Sequence, residues 1–570
     1  MYLYSRNTLL LILLIAYIFV FIIPVSINAV DQKENEMSNY TQIEFKKITR
    51  PNNQLDPVYC EVRENYLICK NKHGTNYSIE YQDDRNITNI RYSSSDIQSP
   101  SIINVTDEPY YNYKEFNETI INSYKSKNIL KKEIVPVPKN NTCIKNEPTV
   151  TSNSSFIFYT GNHFASQSFD GGENWNFIDP DIGFPFCCDQ RVIYDHNHKL
   201  FIWYIQGEDD DRRYPNMDKS NYVRLAVSKN LFNWTIYDFK ANNIDINTLR
   251  NIRMDYPHLA TDDNYLYFTT NLFNMSPDNV TKMSKGSLIL RFDLAELNQF
   301  NESKPVYFHD KEARTITPVK DAKSEMYFAT FPEINSPTIL DDKKVIRMYQ
   351  TNQSSIVKVQ DIEVHGFKKL YRHGSDCNNA TKKDWWCGAV DSRIMTGWLD
   401  NDRIGLLWHA NKVVDKNNTK FNVPYIDGVI LDLKNKMKEI ERPYMSNSNY
   451  ALAFPDVAFN GNGELGIIAF YGNKTTLVNL AFGVYNQNSS YWNMMSLLNS
   501  SYILNEPAFD PNFNKCFMDS QRGDPTLNQW GDYITINKYY GNNSLWEVAG
   551  YTIYGPDFRE AKPYYLLVKN

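Results

Sequence analysis

The chain has 570 residues, enough for a large core built as one ring or as several domains. Tyr, Phe and Trp make up 14% of it, which favours strands. A formal charge of −6 and a pI near 5.9 provide no basic field, which excludes nucleic acid as the expected partner.

Residues Thr8 to Val25 form an apolar run, preceded by Arg6, interrupted near its end by Pro24 and followed by Ser26-Ile27-Asn28-Ala29. At about 1.5 Å per residue the run would reach roughly 27 Å as a helix. Residues 1–29 therefore read as a signal peptide cleaved after Ala29 or as an N-terminal membrane anchor. The rest of the chain is expected outside the cell, secreted or held on the outer face of the membrane. About eighteen Asn-x-Ser/Thr triplets agree with export, among them those at Asn76, Asn104, Asn233, Asn301, Asn417 and Asn542. So do two closely spaced cysteine pairs suited to local disulfides, Cys60 with Cys69 and Cys377 with Cys387.

Residues 30–147 are polar and rich in Asn, Tyr and Ser, and are expected to be partly disordered around the Cys60/Cys69 hairpin. Pro136-Val137-Pro138 leads into the main domain, 148–570. There one arrangement recurs: an apolar strand, a short Asn/Asp/Gly turn and a second aromatic strand. The copies are Thr149 to Gly161, Gln190 to Gln206, His258 to Asn271, a weaker Ala322 to Phe331, Arg393 to Ala410, Val457 to Tyr471 and Tyr533 to Tyr551. The spacing predicts an all-β fold, a β-propeller of four-stranded antiparallel blades, seven in number with six as the alternative. Asp293 to Phe300 is the one helical candidate. Cys143 and Cys516 flank the expected seam of the ring. A Cys143–Cys516 staple with a vicinal Cys187–Cys188 pair stands beside the alternative that one of Cys143 and Cys516 pairs with Cys187 or Cys188.

Within the first copy's blade lies Ser168-Phe169-Asp170-Gly171-Gly172-Glu173-Asn174-Trp175. It reads as a hairpin in which Asp170 accepts bonds from turn amides, the glycines supply positive φ and the Trp175 ring covers the turn. Ser228-Lys229-Asn230-Leu231-Phe232-Asn233-Trp234 is a degenerate copy, one residue short and lacking the Asp-Gly core. Ser168, Asp170, Gly172 and Trp175 fit the Asp-box pattern, and over about Pro148 to Asn570 the chain resembles the Asp-box (BNR-repeat) sialidase-like β-propeller superfamily. The resemblance is to an exported member of unassigned activity. It implies that the box is a structural turn at a blade's rim, away from the channel where ligands bind. Sialidases also carry an arginine triad, a Tyr/Glu nucleophile pair, an Asp acid/base and an early Arg-Ile-Pro-type motif. That motif is missing from Phe156-Ile157-Phe158-Tyr159-Thr160-Gly161, and nothing fixes Arg191, Arg393 and Arg522 as a triad or Tyr533 as a nucleophile.

The chemistry is expected where the innermost strands begin. Those starts read Cys188-Asp189-Gln190-Arg191, Asp255-Tyr256-Pro257-His258, Asp391-Ser392-Arg393, Phe454-Pro455-Asp456 and Trp530-Gly531-Asp532-Tyr533. A ligand would meet Asp189, Arg191, Asp255, His258, Asp391, Arg393, Asp456 and Asp532. If the site is catalytic, the candidates are Asp189, Asp391, Asp532 and Tyr533. Converging carboxylates must bind a hard cation, take up protons or pair with arginine, so Asp189, Asp255, Asp391, Asp456 and Asp532 are also the candidate calcium ligands. The competing reading is that each Asp caps a strand or an inter-blade turn. Glu208-Asp209-Asp210-Asp211, with Arg212 and Arg213 behind it, reads as a solvated loop; His196 and His198 read as surface residues and His409 as a core histidine. Three functions stay open: binding of a glycan or other cell-surface ligand at the channel mouth, a sialidase-like glycoside hydrolase or lyase using axial carboxylates, and a protein-interaction scaffold using loops such as Asn271 to Lys285 and Asn411 to Asn422. A monomer is expected, with membrane attachment through the N-terminal helix if that helix is retained.

Overall fold

The computed structural model describes most of the chain from residue 119 onward, with short strands between 41 and 77; residues 1–40, 78–118, 371–389 and 501–530 are the longest stretches outside the described residues. The expectations for Thr8 to Ala29, Asn104, Asn417, Glu208 to Arg213, Arg522, Trp530, Cys143, Cys377, Cys387 and Cys516 lie outside the described residues.

Strands dominate and assemble into four-stranded antiparallel units, lettered A to G in chain order. Unit A holds Thr149–Ser152, Ile157–Gly161, Phe164–Ser168 and Asn176–Ile178. Unit B holds Phe186–Asp195, Leu200–Gly207, Tyr222–Ser228 and Asn233–Lys240. Unit C holds Ile252–Thr261, Tyr265–Asn274, Met283–Asp293 and Val306–Asp310. Unit D holds Thr317–Lys320, Met326–Thr330, Lys343–Thr351 and Ile356–His365. Unit E holds Ile394–Asp400, Arg403–Ala410, Tyr425–Asp432 and Lys438–Glu441. Unit F holds Ala451–Phe459, Leu465–Gly472, Asn479–Asn486 and Tyr491–Leu498. Unit G takes Thr535–Lys538, Trp546–Tyr554 and Glu560–Val568 from the C-terminus, and its outer strand, Ile129–Ile134, from the stretch before unit A.

The first strands of the units touch one another in the cyclic order A to G and back to A. Those of D and E also pair in parallel, Val319 beside Gly397. The fold is an all-β propeller with four-stranded blades around a central channel. Between blades the sheets are glued by large apolar side chains; Phe158 of A lies 4.9 Å from Trp203 and 5.2 Å from Trp234 of B. Trp203, Trp234, Trp408, Trp492 and Trp546 are all fully buried. Each removes ~200 Å² from water, worth roughly 5 kcal/mol of transfer free energy at ~25 cal/mol/Å².

Two boundaries differ from expectation. The fourth hairpin is Thr317 to Thr330, turning at Asp321 with φ 64°, so the expected start at Ala322 falls inside the turn. Its first strand, Thr317-Pro318-Val319-Lys320, is short and contains proline, and so lacks the apolar run that marks the others. The stretch before residue 148 also enters the sheets. Thr41–Glu44 pairs with the outer strand of D, Lys46–Lys47 with that of C, Val58–Arg63 with that of B, and Ile121–Asn122 with that of F. An outer strand exposes a row of unpaired N–H and C=O groups, and these segments cover them. Ring closure is by the Ile129–Ile134 ladder with Glu560–Val568. Cys60 lies directly across from Cys69 in its ladder and is disulfide-bonded.

The helical candidate forms as Leu294–Asn298, with the Asp293 carboxylate capping the amides of Ala295 and Glu296. A further single turn, Ala241–Ile244, was not anticipated. The Ser168 turn joins the two outer strands of A. Asp170 Oδ1 accepts from the amides of Glu173 (3.0 Å) and Asn174 (2.9 Å), Ser168 Oγ accepts from Gly172 N, and Trp175 Nε1 donates to Gly172 O. The degenerate copy in B makes the same bonds. Asn230 Oδ1 accepts from Phe232 N and Asn233 N, Ser228 Oγ from Leu231 N, and Trp234 Nε1 donates to Leu231 O. Leu231 adopts φ 63° where the first turn has Gly172 at 89°.

Candidate functional site

The innermost strands are interrupted where they enter the channel. The ladder slips between Phe186 and Gln190 in B, Asp255 and His258 in C, Ile394 and Thr396 in E, and Ala453 and Asp456 in F. Such bulges re-aim side chains. Three residues next to proline take positive φ here: Glu147 (48°) before Pro148, Tyr256 (58°) before Pro257 and Phe454 (56°) before Pro455. Proline denies its predecessor the right-handed helical region, and a non-glycine residue in the left-handed one costs ~1–3 kcal/mol. That cost is met three times around one channel.

On one side of the channel the acids are matched by cations. Lys320 Nζ, from D, donates to both oxygens of Asp456 (2.7 and 2.8 Å) and to Val457 O (3.0 Å) in F. Asp456 also accepts from Thr396 Oγ1 of E (3.0 Å) and from Ile536 N of G (3.0 Å). This one carboxylate therefore ties D, E, F and G together. Asp391 binds Arg393 through two bonds, 2.5 and 2.9 Å, and Arg393 Nη1 lies 3.6 Å from Asp532 while its guanidinium covers the Tyr256 ring at 4.3 Å. His409 sits behind them. Its Nε2 accepts from Phe454 N (2.7 Å), so Nδ1 carries the proton and donates to Asp391 O (2.9 Å). Burial pushes it down to about 4, as befits a neutral core histidine.

Across the channel the acids crowd one another. Asp189 is pushed well above the usual carboxylate range by burial and then by Glu147, Asp255 and Asp532, with Arg191 opposing. Asp255 accepts from Gln206 Nε2 (2.7 Å) and lies 3.6 Å from Arg253 Nε. Glu147 accepts from Asp532 N at 2.7 Å. Arg191 spends its Nε on Pro257 O (2.9 Å) and stacks on the Tyr533 ring at 3.4 Å. Tyr533 donates to Gln190 O (3.1 Å), and burial followed by Asp189 holds the phenol neutral. His258 is kept neutral by burial and by Arg191, Arg393 and Lys320. Cys187 and Cys188 are joined as a vicinal disulfide on the same bulge as Asp189.

Asp189, Arg191, Asp255, His258, Asp391, Arg393, Asp456, Asp532 and Tyr533 thus line one channel. Glu147, Gln206, Arg253, Tyr256 and Lys320 belong with them and were missed. Glu147-Pro148 repeats the pattern of Tyr256-Pro257 and Phe454-Pro455, a signal present in the sequence; Lys320 ends an unremarkable short strand and gives none. The Ser168 turn is at the rim, on outer strands. His196 stacks on Tyr540 (4.5 Å) and His198 Nδ1 bonds Asp195 (2.7 Å), both at the inner hairpin's turn. Among the described residues no three Asp, Glu, His or Cys side chains gather closely enough to hold a metal ion. Chemically, the mouth offers one carboxyl of raised pKa beside further carboxyl groups, with its arginine faces covered by tyrosine rings.

No protein-family description and no curated protein matches the sequence. Solved structures similar to it include a puromycin-hydrolyzing peptidase of Mycobacterium tuberculosis, with a TM-score of 0.37 and 9% identity over 76% of this chain and 53% of that one. The chain thus spans about half the length of that peptidase. The GH93 alpha-L-arabinofuranosidase of Fusarium graminearum, in complex with arabinobiose, gives 0.35 and 10% over 77% of this chain and 98% of that one. The alpha-L-arabinanase of Penicillium chrysogenum, also complexed with arabinobiose, gives 0.32 and 12% over 62% and 98%. Likenesses this distant say nothing of activity.

Proposed function

We propose that the chain is an exported Asp-box propeller of the sialidase-like kind, units A to G being the seven blades of one ring, that binds a glycan at the mouth of its channel. The observation carrying this reading is the gathering of Asp189, Glu147, Asp255 and Asp532, in which Glu147 accepts from Asp532 N, Asp255 accepts from Gln206 Nε2 and the crowded Asp189 carboxyl is raised towards its protonated form. Together they offer hydrogen-bond donor and acceptor groups side by side, as sugar hydroxyls require. The glycan is neutral. Arg191 and Arg393 are committed to Pro257 O, Asp391 and Asp532 and stacked on tyrosines, so they are not splayed to clamp a sugar carboxylate. Export is supported by the apolar Thr8 to Val25 run, by the disulfides, and by the exposure of the glycosylation candidates Asn233, Asn301 and Asn542.

A second reading, a glycoside hydrolase, is favoured by the same raised carboxyl. Asp189, the carboxyl whose surroundings raise it, would be the general acid, with Asp255 or Asp532 as its counterpart. Calorimetry with neutral and with sialylated oligosaccharides tests the proposal on the wild type and Asp189→Asn. Neutral binding weakened at least tenfold in the variant supports it. Equal affinity in both proteins, or preference for the sialylated ligand, overturns it. Product release that vanishes in Asp189→Asn while binding persists selects the hydrolase.

A further inference from the structure

Asp189 does not stand on an ordinary strand. It follows directly on Cys187 and Cys188, whose disulfide closes a small ring within the bulge between Phe186 and Gln190. Both cysteines are half-buried, so the bond is within reach of solvent. Arg253, from the neighbouring blade, directs Nη2 at the two sulfurs, 3.3 Å from Cys187 Sγ and 3.8 Å from Cys188 Sγ, while its Nε lies 3.6 Å from Asp255. One covalent bond therefore fixes the backbone leading into Asp189 and, through Arg253, the approach of a cation to Asp255.

We propose that Cys187–Cys188 is a redox-modification site that sets the ligand affinity of the channel mouth. In the oxidised form the ring locks the bulge and holds Asp189 against Glu147, Asp255 and Asp532. A dithiol reductant opens it. The thiolate of the dithiol attacks one sulfur, the S–S bond breaks and the other cysteine leaves as a thiolate beside Arg253. The reductant's second thiolate then attacks the reductant sulfur of this mixed disulfide, the bond to the first cysteine breaks, that cysteine leaves as a thiolate, and the reductant closes its own disulfide. The dithiol is oxidised by two electrons, and Cys187 and Cys188 gain two electrons and two protons as free thiols. The lone thiolate stage is favoured by the adjacent guanidinium, which lowers a thiol's pKa. Once open, the bulge is no longer cross-linked, Arg253 loses its pair of sulfur acceptors, and the groups crowding Asp189 separate.

The effect on affinity rests on the channel-mouth reading; the effect on the backbone does not. The experiment uses the full chain and a Cys187→Ser/Cys188→Ser variant, which opens this bond and leaves the other cysteines intact. Peptide mapping of the non-reduced protein must find the 187–188 linkage; Cys187 or Cys188 joined to any other cysteine overturns the proposal. Hydrogen exchange of residues 186–192 and 253–256 should accelerate at least fivefold in the variant and in dithiothreitol-treated wild type, with the outer strands of other blades unchanged. Neutral oligosaccharide affinity should fall at least fivefold in both. Unchanged exchange overturns the switch. Accelerated exchange with unchanged affinity overturns its control of binding, and a wild type that binds no oligosaccharide at all removes the glycan reading while exchange still decides whether the bond locks the bulge.

Discussion

Asp456 and Asp189 both stand at the bulge of an inner strand, Asp456 paired with Ile468 just after it in blade F and Asp189 inside it in blade B, and they have opposite fates. Asp456 receives Lys320 from D, a hydroxyl from E and an amide from G, and becomes a staple among blades. Asp189 receives other acids, and its carboxyl is pushed up. A residue type that recurs around a ring does not recur in role; what decides is whether a neighbouring blade delivers a cation at that depth. Asp391 follows the first pattern through Arg393, and Asp532 stands between the two, within 3.6 Å of Arg393 and yet among the groups that raise Asp189.

The largest effect should come from cutting the staple. Asp456→Ala leaves the Lys320 ammonium facing carbonyls alone, and since the pair is partly solvated the loss should be about 2–3 kcal/mol, below the fully buried range. Urea unfolding measures it, and a loss under about 0.5 kcal/mol would make the tie between blades decorative. Next comes a buried acid that resembles Asp189 without lying at the mouth. Glu547 of G, pushed up to about 8 by burial despite the bond from Ser152 N (3.0 Å), sits at the seam with A. Its folded pKa lies above its unfolded value, so its contribution is full below about pH 4.5 and lost as pH rises through about 8. Glu547→Gln should therefore gain on the wild type as pH rises from about 4.5 to about 8, read by the same urea unfolding, with ligand affinity untouched.

Asp189→Asn should behave like Glu547→Gln in stability and unlike it in binding. The raised pKa means that ionisation disfavours the fold increasingly above about pH 4, so the amide should be neutral or stabilising at pH 7 by urea unfolding. A loss at pH 7 as large as that of Asp456→Ala would mean that the two sides of the channel do not differ in kind.

Much of this ring was legible in the chain because a propeller repeats. Inner hairpins such as Gln190 to Gln206 and Val457 to Tyr471 pair an apolar run with an Asx turn, and both ends of the signal are local. The acids at the inner strand starts were legible for the same reason. Lys320 was not, because its importance lies in Asp456, 136 residues away in sequence. Glu147 was hidden by a boundary drawn one residue too late, at Pro148. The outer-edge strands before residue 148 had no apolar periodicity to betray them: Ile129–Ile134 reads Ile-Leu-Lys-Lys-Glu-Ile and pairs through its backbone.

The smallest effects belong to the rim, where two turns of different sequence make one hydrogen-bond pattern. Asp170 is held down at about 2, first by Asn174 N and the Asn174 amide, so its charge supports the turn above about pH 4 and that support is lost as pH falls through about 2. Asn230 makes the corresponding bonds without charge. Asn230→Asp should therefore add a few tenths of a kcal/mol at pH 7 and nothing at pH 2, and Asp170→Asn should do the reverse, both followed by thermal unfolding across that range. Neither should alter ligand affinity, because the turns join outer strands while the channel is lined by inner ones. A binding change in either variant would mean that the rim and the mouth are coupled through the blade, and the separation of a structural turn from a chemical mouth would fail.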